Sequence, residues 1–364
     1  MNVVFHHPLP LNTEAKSASG IRPLRMLSAF EDLGCEVDVI TGYSWERSAL
    51  IRRMKDKARN GKRYEFVYSE SSTMPTVLTD PHHLPVRPLM DGGFFSFCRN
   101  NRIPVGLFYR DIYWLFDAYG KGLNRIQVMA AKAAYRFDLW VYARTLDRLY
   151  VPSREMGDYI RGVDPEIIAA LPPGHISPST HSSATAPAKG GPLRLFYVGG
   201  MSDHYRLHIL FQVVSSMPQI DLTVCTRDIE WKSVKEDYPS LTPNIRIIHE
   251  TGEGMTVHLQ ECDIAVLFVE PHEYWKFASP FKLYEYLGYH KPIVASRGTL
   301  SGTFVSENHV GWTLPYDSDH LRRLLVRLLD NPVEISQCGA TAAAVADQHS
   351  WKARAQQVIN DLSQ

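Results

Sequence analysis

Residues 263–296 read DIAVLFVEPHEYWKFASPFKLYEYLGYHKPIVAS and combine two kinds of periodicity. The runs at 263–271 and 291–296 are short and apolar, as in buried strands, whereas the stretch before the second run is amphipathic. Pro280 suits the first turn of a helix and Ser279 suits its N-cap, so we predict a helix that begins at Ser279. A strand, a helix and a strand in this order predict two parallel strands joined by a crossover helix.

The same alternation continues outward from this unit. Near the N-terminus, MNVVFHH (1–7) and CEVDVITGY (35–43) flank the amphipathic segment SGIRPLRMLSAFEDLG (19–34). A second series of strands and helices starts at LRLFYVGG (193–200). Short apolar strands that alternate with helices are typical of a parallel sheet covered on both faces. We therefore predict an α/β protein with two doubly wound Rossmann-like domains.

A stretch of different composition separates the two series. LPPGHISPSTHSSATAPAKGGP (171–192) is rich in Pro, Ser, Thr, Ala and Gly and has no apolar period, which is typical of a linker. A chain of 364 residues also exceeds what one hydrophobic core usually organises. The predicted segments are an N-terminal domain over 1–170, the linker over 171–192, a C-terminal domain over 193–345 and a final segment over 346–364.

Charge and cysteine content exclude several classes of protein. The 39 Lys and Arg residues balance 39 Asp and Glu residues, which argues against nucleic-acid binding over the whole surface. Five cysteines lie far apart and fit neither a disulfide framework nor a CxxC metal site. The first residues lack the features of a signal peptide, and no apolar run reaches membrane-spanning length. We expect a cytoplasmic protein that binds no nucleic acid.

Polar residues stand where predicted strands end and helices begin. In doubly wound sheets, ligands bind beyond the carboxyl ends of the strands, where free N–H groups at helix N-termini meet anions. Gly199 and Gly200 end a predicted strand and leave room for a phosphate beside the backbone. Lys282 and Glu285 are three residues apart on one helix face, which suits a diphosphate and the two hydroxyls of a ribose. A surface ion pair is the alternative interpretation of this pair.

Segment 277–296 resembles the donor-binding stretch of GT-B fold glycosyltransferases, in particular the retaining family four (group 1) enzymes of bacterial polysaccharide synthesis. YVGG (197–200) resembles that family's glycine turn, and DRLYVPSREMGDYI (147–160) resembles its last N-domain strand and helix. The resemblance implies two domains facing across a cleft, with the acceptor on the N-terminal one and the segment 346–364 packed back toward it. It also implies a glycosyltransferase that moves a sugar from a UDP- or GDP-sugar to a glycan or lipid-linked acceptor.

The resemblance also implies roles for individual residues. It places Lys282 on the diphosphate, Glu285 on the ribose, and Ser279 and Pro280 near the sugar. Thr226 and Arg227 follow one predicted strand, and Glu250 and Thr251 follow the next. We expect these residues to border the base, with turn formation as the alternative. The residues expected on the donor side are Gly199, Gly200, Arg206, Thr226, Arg227, Glu250, Thr251, Ser279, Pro280, Lys282 and Glu285.

Neither a metal nor a cofactor is expected. No cluster of His, Cys and carboxylate residues has metal-ligand spacing, and the resemblance implies that helix dipoles and basic side chains neutralise the leaving diphosphate. The nucleotide sugar is a substrate rather than a cofactor.

The predicted N-terminal domain carries a second set of candidates. IPVGLFYRD (103–111) ends a predicted strand with Arg110 and Asp111. A carboxylate there can act as general base toward an acceptor hydroxyl or hold sugar hydroxyls. The resemblance implies Asp111 by position, and a capping role is the alternative. The other residues expected near the acceptor or the sugar are Ser19, Gly20, His82, His83 and Arg110, with His6 and His7 nearby.

Two features depart from the family pattern. Phe277 stands eight positions before Glu285, where the family has a first glutamate, and GGMSDHYR (199–206) offers only Arg206 near the position of a family lysine. Three interpretations follow. The leading one is a retaining transferase; the others are an inverting GT-B transferase with Asp111 as general base and a catalytically silent subunit that binds a nucleotide sugar.

A basic segment suggests a membrane partner. Eight Lys and Arg residues lie between Arg47 and Arg63, in a region whose apolar residues fall on an approximate helical face. Such a helix can lie on an anionic membrane surface, and a solvated basic helix is the alternative. The resemblance implies a peripheral position on the inner membrane face. The apolar residues concerned are Trp45, Ala49, Leu50, Ile51, Met54 and Ala58.

Overall fold

The computed structural model of the protein describes residues 1–15, 17–117, 119–120, 122–176, 191–201 and 205–363. The chain divides into two compact units, the first made of residues 1–173 with the C-terminal segment from Trp351, and the second of residues 174–350. Most of the predicted linker, residues 177–190, lies outside the described residues.

Regular structure alternates along the whole described chain. The described strands are β1 Asn2–His6, β2 Glu36–Ile40, β3 Phe66–Glu70, β4 Val105–Phe108, β5 Arg148–Val151, β6 Ile168–Ala170, β7 Leu193–Val198, β8 Ile220–Cys225, β9 Ile245–Ile248, β10 Ile264–Leu267, β11 Ile293–Ser296 and β12 Gly311–Leu314. The described helices are α1 Ala18–Asp32, α2 Ser44–Arg59, α3 Met90–Asn100, α4 Arg125–Thr145, α5 Arg154–Gly157, α6 His208–Ser215, α7 Asp228–Val234, α8 Glu253–Glu261, α9 Phe281–Gly288, α10 Leu300–Glu307, α11 Ser318–Asp330, α12 Pro332–Ala346 and α13 Trp351–Leu362.

Each unit is built on a parallel sheet. In the first unit the strand order is β2-β1-β3-β4-β5-β6, and in the second it is β12-β11-β10-β7-β8-β9. All of these neighbouring strands pair in parallel. The order reverses between β1 and β3 in the first sheet and between β7 and β10 in the second. These are the topological switch points, where doubly wound sheets open a crevice at the carboxyl ends of the strands.

Burial of the strands agrees with helices on both faces of each sheet. Consecutive residues of β3, β4, β10 and β11 are all buried, whereas a one-sided sheet would bury alternate residues. Leucines at positions i, i+3, i+4 and i+7 of α11 are buried on the side that packs against α6. Each contributes about 1.5–3 kcal/mol by leaving water. The predicted fold class of two doubly wound Rossmann-like domains is confirmed.

The C-terminal helix belongs to the first unit. α13 packs against α1, and the Arg22 guanidinium of α1 lies 3.5 Å from the Phe108 ring centroid and 5.5 Å from that of Trp351. Arg354 donates from Nε to the carbonyl of Pro173 at 3.2 Å. The helix spans a shorter range than the predicted terminal segment over 346–364, since Ala346 still belongs to α12.

Two predictions from composition concern covalent and membrane features. All five cysteines are free thiols, and four of them are buried. Within the described part of the chain, no helix is both long enough and apolar enough to cross a bilayer.

Candidate functional site

The switch point of the second sheet joins the glycine turn to helix α9. β7 ends at Val198 and is followed by Gly199 and Gly200, while the chain that leaves the neighbouring strand β10 leads to α9. The crevice of a doubly wound sheet opens at this place. The fold therefore brings together the two motifs that lie some eighty residues apart in the sequence.

Gly199 permits a lysine to approach the backbone. Its φ of +140° lies in a region that L-residues rarely adopt, and a Cβ added here would lie 2.6 Å from Nζ of Lys282. Any larger residue would displace the lysine. The glycine and Lys282 therefore form one structural unit at the switch point.

Lys282 is buried among aromatic rings rather than paired on the surface. Its side chain is 8% exposed, and Nζ donates to the hydroxyl of Tyr197 at 2.8 Å. Nζ also lies 4.1 Å from the Tyr197 ring centroid and 4.5 Å from that of Tyr205. Burial lowers the pKa of Lys282 to about 7, against the opposing effect of the nearby carboxylates of Glu285 and Glu230. The protonated form of such a buried amine is only weakly favoured, and a bound anion would stabilise it.

Glu230 contacts the glycine turn, a feature that we did not predict. Its Oε2 accepts the backbone N–H of Met201 at 3.0 Å, and the same carboxylate forms an ion pair with Arg227. Tyr197 completes the turn by donating its hydroxyl to the carbonyl of Gly200 at 2.7 Å. Nothing in the sequence around Glu230 indicates these contacts, because it lies 29 residues from Met201.

The start of α9 differs from the prediction by two residues. We expected a helix from Ser279 capped by that serine, but α9 begins at Phe281 with Pro280 in the N-cap position. The Ser279 hydroxyl shares a hydrogen bond of 3.1 Å with the hydroxyl of Tyr284 and so does not cap the helix. Glu285 is half-buried on α9, one turn after Lys282.

The remaining predicted donor-side residues lie at the ends of strands or on the surface of the second unit. Thr226 follows β8, and its Oγ1 is buried without a hydrogen-bond partner in the described part of the chain. Glu250 and Thr251 follow β9, where Glu250 is half-exposed near His258. Arg206 forms an exposed ion pair with Glu270 at 3.3 Å.

The switch point of the first sheet holds a buried cluster of charges. Glu70, at the end of β3, is fully buried and accepts from Nε of Arg22 at 3.1 Å and from Nη2 of Arg110 at 3.1 Å. The Tyr68 hydroxyl donates to the same carboxylate at 2.9 Å. Removing Glu70 would leave two buried guanidinium groups facing each other. The sequence analysis predicts Arg110 near the acceptor but does not identify Glu70 or Arg22. The sequence feature that could have indicated Glu70 is its position as a carboxylate at the end of the apolar strand YEFVYSE.

Asp111 follows Arg110 and caps the next turn. Its Oδ1 accepts the backbone N–H of Tyr113 at 2.9 Å, which is the capping alternative of the sequence analysis. Burial raises the pKa of Asp111, although the backbone N–H groups of Tyr113 and Ile112 oppose the effect. A raised pKa favours proton acceptance at neutral pH, so capping and proton transfer are compatible.

The other predicted acceptor-side residues are dispersed within the first unit. Ser19 and Gly20 form the first turn of α1, where the Ser19 hydroxyl contacts that of Ser17 at 2.9 Å. His82 and His83 lie in an exposed turn, and His83 has a left-handed backbone with φ of 53°. The fold does not bring these two histidines into the buried cluster around Glu70.

His6 joins a serine and an aspartate in a buried hydrogen-bonded chain that has a structural role. His6 Nδ1 lies 2.8 Å from the Ser69 hydroxyl, and its Nε2 lies 3.0 Å from Asp91, which also pairs with Arg47 at 2.9 Å. The serine is only 1% exposed, so its hydroxyl has no access to a substrate. Burial raises the pKa of Asp91, but the hydrogen bond with His6 and the charge of Arg47 outweigh burial and lower that pKa to about 2. This chain fastens α2 and α3 to the sheet.

Helix α2 uses part of its predicted membrane face for packing. Ile51 and Met54 are buried in the core, while Trp45 is half-exposed. Arg47 is buried as well, and Lys57 pairs with Asp38 at 2.7 Å. The exposed basic residues of this helix are Arg52, Arg53 and Arg59.

Comparison with known proteins identifies the fold. No family model and no curated protein matches the chain. Among solved structures, Anabaena HepE in complex with UDP-glucose is 13% identical, with 100% of this chain and 99% of that chain covered and a TM-score of 0.65. Sucrose-phosphate synthase from Thermosynechococcus elongatus is 12% identical, with 99% and 98% covered and a TM-score of 0.65. WaaG, a glycosyltransferase involved in lipopolysaccharide biosynthesis, is 12% identical, with 100% and 99% covered and a TM-score of 0.60. This likeness confirms the GT-B fold class.

We expect His7 to make folding stability depend on pH. Burial lowers the pKa of His7 from 6.5 to about 3, although its Nδ1 lies 3.0 Å from the carbonyl oxygen of Glu70. The unfolded chain therefore binds a proton below pH 6.5 that the folded imidazole takes up only near pH 3, so stability is lost as pH falls. Since Gln can also donate to that carbonyl, His7→Gln should remove about 2–3 kcal/mol of the loss between pH 6.5 and 4.5 in urea unfolding. Exposed His82→Gln serves as the control, and an unchanged slope in His7→Gln would refute the expectation.

Proposed function

We propose that the protein is a glycosyltransferase that moves a sugar from a UDP- or GDP-sugar to a glycan or lipid-linked acceptor in cell-surface polysaccharide biosynthesis. The observation that carries the proposal is the buried Lys282 beside Gly199 at the switch point of the second sheet. A buried amine next to backbone amides suits a diphosphate. The complex of HepE with UDP-glucose and the role of WaaG in lipopolysaccharide biosynthesis support the donor class and the pathway class.

The proposed mechanism follows from the leaving group. Breaking the bond between the anomeric carbon and the nucleoside diphosphate places negative charge on the diphosphate and oxocarbenium character on the sugar. Lys282, protonated once the anion is present, and the N–H groups at the start of α9 would stabilise that charge without requiring a metal ion. Glu285 would accept hydrogen bonds from the ribose, and the hydroxyl of Thr226, which has no hydrogen-bond partner among the described residues, supports a further contact with the nucleoside.

We propose retention of anomeric configuration on the strength of the sequence resemblance. The capping contact of Asp111 supports a role in positioning, because a carboxylate already bound to a backbone N–H is held in one place. Inversion with Asp111 as general base stays the alternative. A silent subunit is the third possibility, since Phe277 is buried where the family has a glutamate.

Lys282→Met tests the donor site. The substitution keeps the length of the side chain and removes its charge, so affinity for UDP-glucose in calorimetric titration should fall about 10–100-fold. Exposed Lys276, which pairs with Glu273 at 2.7 Å, offers a matched control, and Lys276→Met should change affinity by less than about twofold. Equal affinities of wild type and Lys282→Met would overturn the site.

The pH dependence of the same titration gives a second readout. Because the pKa of Lys282 is about 7 in the unliganded protein, donor binding should take up a proton above pH 7. Affinity should then fall with rising pH, approaching about tenfold per unit above pH 8, and Lys282→Met should lose this dependence.

Release of UDP from UDP-glucose separates an enzyme from a silent subunit. A protein that binds the donor but never turns it over would be the latter.

Asp111→Asn separates the two transferase mechanisms. Asn keeps an oxygen acceptor for the Tyr113 N–H but cannot accept a proton. For a retaining enzyme we expect a loss in kcat of less than about tenfold and unchanged donor affinity, whereas loss of a general base typically costs about 10²–10⁴-fold. A collapse in rate with intact donor binding, together with an inverted product, would establish the alternative.

We propose that an anionic membrane is a partner and that α4 supplies its apolar contact. Ile126, Met129 and Trp140 lie on one face of this 21-residue helix and are 80%, 71% and 51% exposed. The one acidic residue of α4, Asp138, is buried on the opposite face. An exposed apolar stripe with flanking basic residues is typical of a helix that lies at a membrane interface. The basic residues of α4 are Arg125, Lys132, Arg136 and Arg144.

A groove next to α4 supports the same partner. It has a volume of about 860 Å³ and combines tryptophan and arginine side chains, which prefer the interfacial region of a bilayer. Helix α2, from the predicted segment Arg47 to Arg63, would add only charge through Arg52 and Arg53. The groove residues with this preference are Trp140, Arg136, Arg144 and Arg161.

Vesicle sedimentation tests the membrane surface. With vesicles of phosphatidylglycerol and phosphatidylcholine, Ile126→Ser with Met129→Ser should weaken partitioning about tenfold, since two apolar side chains no longer leave water. The exposed Ile229 of the second unit gives the control Ile229→Ser, which should partition as the wild type does. Arg52→Gln with Arg53→Gln should have a smaller effect that disappears at high salt. Unchanged partitioning of the α4 variant would contradict the proposal.

A further inference from the structure

The glycine turn of the second unit already holds an anion supplied by the chain itself. Oε2 of Glu230 accepts the Met201 N–H at 3.0 Å, and the same oxygen lies 3.0 Å from the position of a Cβ on Gly200. The carboxylate therefore sits against the backbone that a phosphate would approach. Its side chain is only 19% exposed, so it is held in the turn rather than extended into water.

The cations around the turn are also engaged by this carboxylate. Arg227, one helical turn earlier, forms an ion pair with Glu230. Glu230 also interacts electrostatically with Lys282: its negative charge raises the pKa of Lys282, although burial lowers that pKa by more. A carboxylate with an amide donor, a guanidinium partner and a nearby ammonium reproduces the contacts of a bound phosphate.

We propose that Glu230 is a built-in competitor for the diphosphate of the donor, occupying the Met201 N–H in the unliganded protein and leaving when the donor binds. This inference rests on the proposed function, because it concerns the same diphosphate site. Displacement of Glu230 breaks its ion pair and releases Arg227, which can then contact the diphosphate. The turn would thereby gain the second cation that the sequence GGMSDHYR lacks next to its glycines.

Competition of this kind makes affinity depend on the charge of the ligand. A diphosphate offers more negative charge and more acceptor oxygens than a single carboxylate, so it can take over both the amide and Arg227. A nucleoside without phosphates carries no anionic group that could replace the Glu230 carboxylate in the turn. The carboxylate therefore lowers the affinity for every phosphate ligand but leaves recognition of the base and ribose unchanged.

Calorimetric titration of UDP, pyrophosphate and uridine into Glu230→Gln tests the inference. Gln keeps the length of the side chain and removes the negative charge, so UDP and pyrophosphate should bind about tenfold more tightly than to the wild type. Uridine should bind equally to both. Asp228→Asn is the matched control: Asp228 lies on the same helix but pairs with exposed Lys232 at 2.6 Å, so the same change in net charge should alter affinity by less than about twofold. Arg227→Gln should weaken UDP binding.

The outcomes separate this inference from the proposed function. If wild type binds UDP and Glu230→Gln binds it no more tightly, Glu230 only supports the turn and the inference is overturned while the proposed function stands. Weaker binding by Glu230→Gln would overturn it in the same way. If no variant binds UDP or pyrophosphate, both fall together. Should Glu230→Gln not fold, Glu230→Ala is used instead, since it removes both the negative charge and the contact with the Met201 N–H and should show the same gain.

Discussion

Burying an amine beside the backbone of a glycine constrains the whole second unit. Lys282 lies under Gly199, and its hydrogen bond goes to the uncharged hydroxyl of Tyr197. Desolvation of an ammonium group is costly, and the faces of two tyrosine rings offset only part of that cost. The glycine must stay a glycine, the tyrosine must stay in its place, and the chain that leaves β10 must bring the start of α9, at Phe281, to the glycine turn. The geometry of the proposed donor site follows from these three requirements.

The first unit differs, because there each buried cation is paired with a carboxylate, which the two cations share. Glu70 lies between the guanidinium groups of Arg22 and Arg110 at the switch point of the first sheet. Arg22 also donates from Nη2 to the carbonyl of Leu171 at 3.2 Å, so the cluster connects four distant parts of the chain. Such a network favours one arrangement of strands and loops over others. It fixes Arg110, and with it the start of the loop that carries Asp111, before any substrate arrives.

Sequence periodicity predicted the architecture well because it reports local geometry, whereas contacts between distant residues have no period. Apolar alternation predicted the strands and the helices between them. The rule for switch points then predicted that the glycine turn lies close to Lys282. The ion pairs of Glu70 join residues that are 40 and 48 residues apart, and no pattern announces them. Amphipathicity also cannot tell a face that packs on a core from one that meets a membrane. For that reason the membrane face that the sequence predicts for α2 includes Ile51 and Met54, which are buried.

The position of α13 has a consequence for the order in which the protein is made. The first unit is discontinuous in sequence, because α13 packs on α1 and Trp351 lies beside Arg22. The second unit, residues 174–350, is continuous. During synthesis the ribosome must deliver that second unit before the last element of the first is available, so the part of the protein that emerges earliest is completed last. Until then the α1 surface is uncovered, and a nascent chain would need protection there from other exposed apolar segments.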